Sequence, residues 1–182
     1  MKKAKLYDRY PLSSILTYNG ITVLHFLVGG VVLFSTVRFF GVWGGVLGLS
    51  YASFSFIEMY VMMPLQVCRN CVYVRLENGM CISGLNVIAR KVEKKGDASD
   101  FPKRAQGLFC PNNLYILSLV FPILAGIPIL VLNYSNSLLC LEILLFMLLA
   151  ARFLYVIPQL VCVHCRSKFV CPQAGQMGVR EK

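Results

Sequence analysis

Four apolar stretches, at 20–36, 40–63, 114–132 and 138–157, constrain this chain more than anything else in it. A helix of about 20 apolar residues spans the hydrocarbon core of a bilayer, because it satisfies every backbone N–H and C=O internally. These blocks account for a hydrophobic content of 57% and a mean hydropathy of +0.66, above the usual soluble share. The expected fold class is an all-α integral membrane protein. Its four transmembrane helices form two hairpins.

Charge sets the expected orientation. The formal net charge is +10, from 18 Lys and Arg against 8 Asp and Glu. Segments 1–19, 64–113 and 158–182 hold four, eight and four of the basic residues, and the outer turns hold only Arg38. Basic loops stay on the cytoplasmic side, so both termini and the central loop are expected there. The same rule explains the excess charge without a nucleic-acid partner. The expected home is the inner (cytoplasmic) membrane of a prokaryote, with the lipid bilayer as the first partner. The start, MKKAKLYDRY, is basic, but no small-x-small cleavage pattern follows the first apolar run. An uncleaved first helix is expected rather than a signal peptide.

Five segments follow. Residues 1–19 read as an interfacial arm, with Lys2, Lys3, Lys5 and Arg9 among Leu6, Tyr7, Tyr10 and Leu12, and a turn near Pro11. Residues 20–63 form the first hairpin; Gly41-x3-Gly45 and Gly44-x3-Gly48 have the spacing that lets helices pack closely. Residues 64–113 are a Cys-rich cytoplasmic loop. Within it Leu85, Ile88, Ala89 and Val92 recur at helical spacing, as in a short amphipathic surface helix. Residues 96–103 (GDASDFPK) read as a mobile polar linker. Residues 114–157 form the second hairpin, with kinks expected near Pro122 and Pro128. Residues 158–182 are a Cys-rich cytoplasmic tail.

Both hairpins end alike. Pro64 precedes Cys68-x2-Cys71, and Pro158 precedes Cys162-x2-Cys165, at the same four-residue distance. Each half also carries a Cys-Pro, Cys110-Pro111 and Cys171-Pro172. Gly79 and Gly84 flank Cys81 in a tight turn. Seven of the eight cysteines, Cys68, Cys71, Cys81, Cys110, Cys162, Cys165 and Cys171, thus fall on the reducing side, where structural disulfides are uncommon. They are the candidate metal ligands. Cys140, alone near the outer end of the fourth helix, reads as a small hydrophobe.

The ligand arithmetic leaves alternatives open. Two Cys-x2-Cys pairs satisfy one tetrahedral zinc and leave three thiols over. One or two iron–sulfur clusters use more of them, with His164 or a partner completing the second set, and Cys-Pro commonly closes cluster-binding runs. The x2, x9, x28 spacing of the first group is not the compact ferredoxin run, and the haem-attachment Cys-x-x-Cys-His is absent. Arg69, Arg75, Arg166 and Lys168 lie near the sulfurs, where positive charge favours thiolates.

Ionisable residues inside spans are functional candidates by default. His25, in the first helix, reads as a neutral histidine bonded to a neighbouring helix, or as a haem ligand or proton relay. Alignment of Cys68 with Cys162 sets Glu58 against Arg152, opposite charges at equal depth that are expected to pair. Glu142 is expected to be wet, near the interface. His25, Glu58 and Arg152 are the candidate cofactor-binding residues.

The expected function is a membrane-embedded metal protein, iron–sulfur first and zinc second as cofactor. It would pass electrons to or from a quinone or a partner reductase at the cytoplasmic face. The alternatives are a zinc- or iron-stapled subunit of a membrane complex, a thiol–disulfide oxidoreductase, and transport or binding of a metal or small substrate. The oxidoreductase reading is weakened because both thiol pairs face the reducing side. A chain with so little mass outside the membrane is expected to work beside a larger protein or a second copy.

Overall fold

The computed structural model describes residues 4–92, 96–107 and 109–179, the side chains of Arg104 and Ala105 excepted. Lys2 and Lys3 of the arm, and Glu93, Lys94 and Lys95 beyond the amphipathic helix, lie outside them. The described residues are helical without a strand, and four helical stretches are long and apolar enough to cross a membrane: Leu12–Phe40, Val42–Asn70, Pro111–Leu132 and Asn136–Cys162. The main helices are α1 (Leu12–Phe34), α2 (Val42–Ile57), α3 (Leu85–Val92), α4 (Pro111–Leu132) and α5 (Asn136–Ala151).

Helix α1 starts at Leu12, inside the segment read as an arm. Pro11 supplies no amide and holds an extended backbone at ψ 144°, so the helix begins directly after it. The turn into α2 is made at Gly41, whose φ of +54° suits a residue without a Cβ. The two helices then close on each other: a Cβ on Gly48 would stand 2.7 Å from the Gly30 carbonyl oxygen. Of the two small-residue spacings, Gly44-x3-Gly48 is the buried one.

Both hairpins widen before they leave the apolar zone. After α2 a π-helical stretch runs Glu58–Met62, where the Met63 amide bonds to the Glu58 carbonyl five residues back. After α5 another runs Arg152–Cys162 and contains Pro158. Proline cannot donate the usual i→i−4 bond and its ring crowds that carbonyl, and a widened turn relieves both problems. The two stretches begin at positions 94 residues apart, the spacing of the cysteine repeat, so the repeat is a property of the backbone as well as of the motif. His25 Nε2 meets the Leu119 carbonyl at 2.8 Å, again 94 residues away, so α1 and α4 touch at equivalent positions.

Helix α4 runs without interruption through Pro122 and Pro128 and starts at Pro111, a favourable first-turn position. Within the polar stretch 96–103, Asp97 caps a 3-10 helix, Ala98–Ala105, by accepting from the Ser99 amide at 2.9 Å. Helix α3 forms over the expected residues and buries Leu85, Asn86 and Ala89. Leu85 joins Phe26, Met59, Tyr115 and Leu119 in one apolar cluster, which docks the loop against the end of the bundle.

Candidate metal centre

Helix α3 shapes the central loop with two polar side chains. Asn86 Nδ2 donates to the carbonyls of Gly79 (2.8 Å) and Tyr73 (3.2 Å), and its Oδ1 accepts from the Cys81 amide at 3.0 Å. Arg90 donates to the carbonyls of Leu76, Glu77 and Gly79. These bonds satisfy carbonyls of the turn that the backbone pairing of Met80 with residues 8–10 leaves open. They also fix the direction of Cys81.

The two Cys-x2-Cys knuckles have matching local geometry. The Cys71 amide donates to the Cys68 carbonyl at 3.0 Å, and the Cys165 amide to that of Cys162 at 3.3 Å. Cys71 and Cys165 then take extended backbones (ψ 148° and 128°) and start short helical turns. Cys110 and Cys171 do the same before their prolines (ψ 152° and 121°).

Six of the eight cysteines, Cys68, Cys71, Cys81, Cys162, Cys165 and Cys171, line one cavity of about 170 Å³. It combines thiols from the loop of one half with thiols from the tail of the other. Cys71 Sγ lies 3.3 Å from Ser167 Oγ, a direct contact across the halves. The Cys165 thiol is pushed up to about 12, by burial first and by the neighbouring Cys71 sulfur second. A bound cation reverses such a shift, because a coordinating thiol loses its proton outright. Among the described residues, no group of three or more His, Cys, Asp or Glu side chains is placed so as to hold a metal ion. The sulfurs share a wall instead.

Tyrosines and the N-terminal arm complete that wall. Tyr10 is buried and donates from its hydroxyl to the Val161 carbonyl at 2.6 Å. Tyr73 donates to the Tyr7 carbonyl at 2.8 Å and accepts from the Arg166 amide at 3.2 Å. Burial is the first cause that holds both phenols above their ordinary range, and the Cys165 sulfur is the second. The arm crosses between the halves: Tyr7 bridges to Cys165, Arg9 bridges to Met80, and Asp8 pairs with Arg166. The reading of this segment as an interfacial arm missed these contacts. Tyr7, Tyr10 and Tyr73 carried the signal, since phenols beside a Cys-x2-Cys suit a half-apolar, half-polar wall.

The remaining candidates fall elsewhere. Cys110 caps α4, where its sulfur accepts from the Asn113 amide at 3.4 Å, and it does not line the cavity. His164 stacks on Tyr7 with 4.5 Å between ring centres, and its Nδ1 meets the Lys5 carbonyl at 2.8 Å. Lys168 is 3% exposed and donates to the Val163 carbonyl at 3.2 Å, placing a buried cation on the cavity wall. Arg75 donates to the Gly96 carbonyl at 2.7 Å.

His25, Glu58, Glu142 and Arg152 do not line the cavity. His25 has the neighbouring-helix bond given above. The expected Glu58–Arg152 ion pair is not formed. Arg152 donates to Thr22 Oγ1 at 2.7 Å and to the Tyr115 hydroxyl, and its guanidinium lies 4.6 Å from the Tyr18 ring centre and 5.1 Å from that of Tyr115. Hydroxyls and aromatic faces stabilise a desolvated cation without a carboxylate. Both Glu58 oxygens are buried without a hydrogen-bond partner. Glu142, expected to be wet, is 8% exposed, and its Oε1 is likewise buried without a partner.

No protein family, no curated protein and no solved structure matches this chain.

Proposed function

We propose that this chain is a membrane-embedded thiolate metal protein whose centre, of iron–sulfur type, passes electrons at the cytoplasmic face. The observation that carries this reading is the single cavity lined by six cysteines from both halves. Six thiols exceed what one tetrahedral ion takes, and an all-sulfur donor set suits iron–sulfur clusters, which hold iron through thiolates. Buried Lys168 favours an anionic cluster there. Met59, Met63 and Leu85 extend the cavity wall toward the bundle, which suits exchange with a quinone or with a partner reductase docked at the surface. The basic loop and tail support the cytoplasmic side for this end and for both termini.

The test is anaerobic purification followed by elemental and sulfide analysis. The expected result is a brown protein with broad absorption near ~400 nm, iron and acid-labile sulfide. A colourless protein with tightly bound zinc overturns the electron-transfer reading. That outcome supports a second reading, a zinc-stapled scaffold within a membrane complex. The paired knuckle geometry, two sulfurs per turn from each half, favours it specifically.

A further inference from the structure

Among its apolar core residues the bundle also buries a series of polar and ionisable side chains. Helix α2 and the π turn after it turn Tyr51, Ser55 and Glu58 inward at spacings of four and three residues, and all three are buried. Helix α1 buries Thr22 and His25. Helix α5 buries Glu142, and Arg152 follows at its end. Hydroxyls and imidazoles commonly join membrane helices by hydrogen bonds, but buried carboxyls without a partner are costly and serve no such bond.

Helix α4 orders these groups by depth. A methyl group on Gly126 would fall on Glu142 Oε1. Just over two turns further along, the Tyr51 hydroxyl donates to the Ser118 carbonyl at 2.8 Å, and a Cβ on Gly29 would lie 2.8 Å from the same hydroxyl. His25 meets the next carbonyl, Leu119. Arg152 and Thr22 lie at Tyr115, whose ring, with that of Tyr18, already lines the thiol cavity. From Gly126 to Tyr115 is about 16 Å at 1.5 Å per residue. The contacts on α4 fall at residues 126, 118, 119 and 115, so the step from Glu142 to Tyr51 is about 12 Å along the helix and needs a chain of waters, while the later steps are about a turn or less.

Four side chains of this series have unmet bonding capacity: both Glu58 oxygens, Glu142 Oε1, Ser55 Oγ and Arg152 Nε are buried without a partner. A metal cation would need several oxygens converging on one point. Among the described residues no such group of ligands exists. A proton needs only one acceptor at a time.

We propose that this stripe is a proton path through the bundle, with Glu142 and Glu58 as carriers and Tyr51, His25 and Ser55 between them. A proton from water adds to a Glu142 oxygen. Each hydroxyl or imidazole on the way accepts one proton and releases another, and Glu58 receives it and passes it to water at the thiol-lined end. The charged and titratable groups facing the path are His25, Tyr51, Tyr18, Tyr60, Tyr115 and Arg152. Each passage returns every group to its starting state, so no oxidant or other reactant is consumed. The inference stands apart from the metal reading, because none of its groups lines the cavity except Tyr18 and Tyr115.

The test uses the purified full chain in liposomes that enclose a pH dye, with a potassium diffusion potential, negative inside, set by valinomycin. Wild type should acidify the lumen at least tenfold faster than protein-free vesicles. Glu58→Gln and Glu142→Gln, which keep shape and remove the exchangeable carboxyl proton, should each slow uptake about tenfold. Glu58→Asp should restore part of it. An apolar carbodiimide, which couples to buried carboxyls, should block the wild-type flux. Wild-type uptake at the protein-free rate overturns the proposal. So does either Gln variant at the full rate, or insensitivity to the carbodiimide.

Discussion

The two hairpins share a backbone plan and differ in what they bury. Each widens into a π turn at the same repeat position and ends in a knuckle whose second cysteine starts a helical turn. Yet the first π turn opens with Glu58, both of whose oxygens are without a hydrogen-bond partner, and the second opens with Arg152, held by two hydroxyls and two aromatic faces. Equivalent positions thus carry a guanidinium that is bonded through two of its nitrogens, with its Nε left open, and a carboxyl that has no hydrogen bond at all. The bonded group belongs to the architecture. The carboxyl has no structural role of comparable weight, and it is the better candidate for function.

The knuckles are the part of the comparison where the halves act together, and the largest effect is expected there. If the halves share one centre, Cys71→Ser should remove all bound metal, with the second half's cysteines untouched. The loss of affinity should exceed the about 10–100-fold that losing an outer-shell partner costs. Elemental analysis of the purified variant checks this. Retention of half the metal would show two independent sites and break the shared-centre reading. Cys110→Ser should keep the full metal content, because its sulfur caps α4 away from the cavity.

The next effect separates Arg152 from Glu58. Tyr115→Phe removes a hydroxyl that accepts from the buried guanidinium, and should lower stability by about 2 kcal/mol, as hydrogen bonds to charged groups do. Glu58→Gln removes no hydrogen bond and should change stability less than Tyr115→Phe does. Unfolding in detergent, followed by circular dichroism, compares the two. A large loss from Glu58→Gln would mean that the carboxyl is structural after all.

The four spans were legible because lipid leaves few alternatives to a continuous apolar helix. The doubled Cys-x2-Cys was legible because a repeat survives as letters. The Glu58–Arg152 pairing was not, because sequence gives depth along a helix and leaves open the rotation that a π turn imposes. Depth alone set the two charges level; the observed rotation turns Arg152 toward Thr22 and Tyr115. Glu142 was misjudged for a related reason. Its distance from the helix end suggested water, but Gly126 opposite makes room for the carboxyl inside the bundle. The arm was underestimated because its partners, Met80 and Cys165, come from two distant segments that only the fold brings to the same place.

The smallest effects test how tightly each hairpin closes. Gly48→Ala would press a methyl within 2.7 Å of the Gly30 carbonyl oxygen and within 2.7 Å of the Phe34 amide nitrogen. Backbone cannot rotate away, so the α1–α2 contact must separate, at a cost of about 2 kcal/mol. Gly126→Ala meets the far end of the Glu142 side chain, which can turn aside, and should cost about 1 kcal/mol or less. Thermal unfolding in detergent ranks the pair. The second substitution carries a further consequence: a carboxyl displaced from Gly126 leaves its place in the proton series while the fold stays intact. Gly126→Ala should therefore slow proton uptake in liposomes more than Gly48→Ala does, although it unfolds at the higher temperature. If proton uptake instead falls in step with stability for both, the polar interior of the second hairpin has only a packing role.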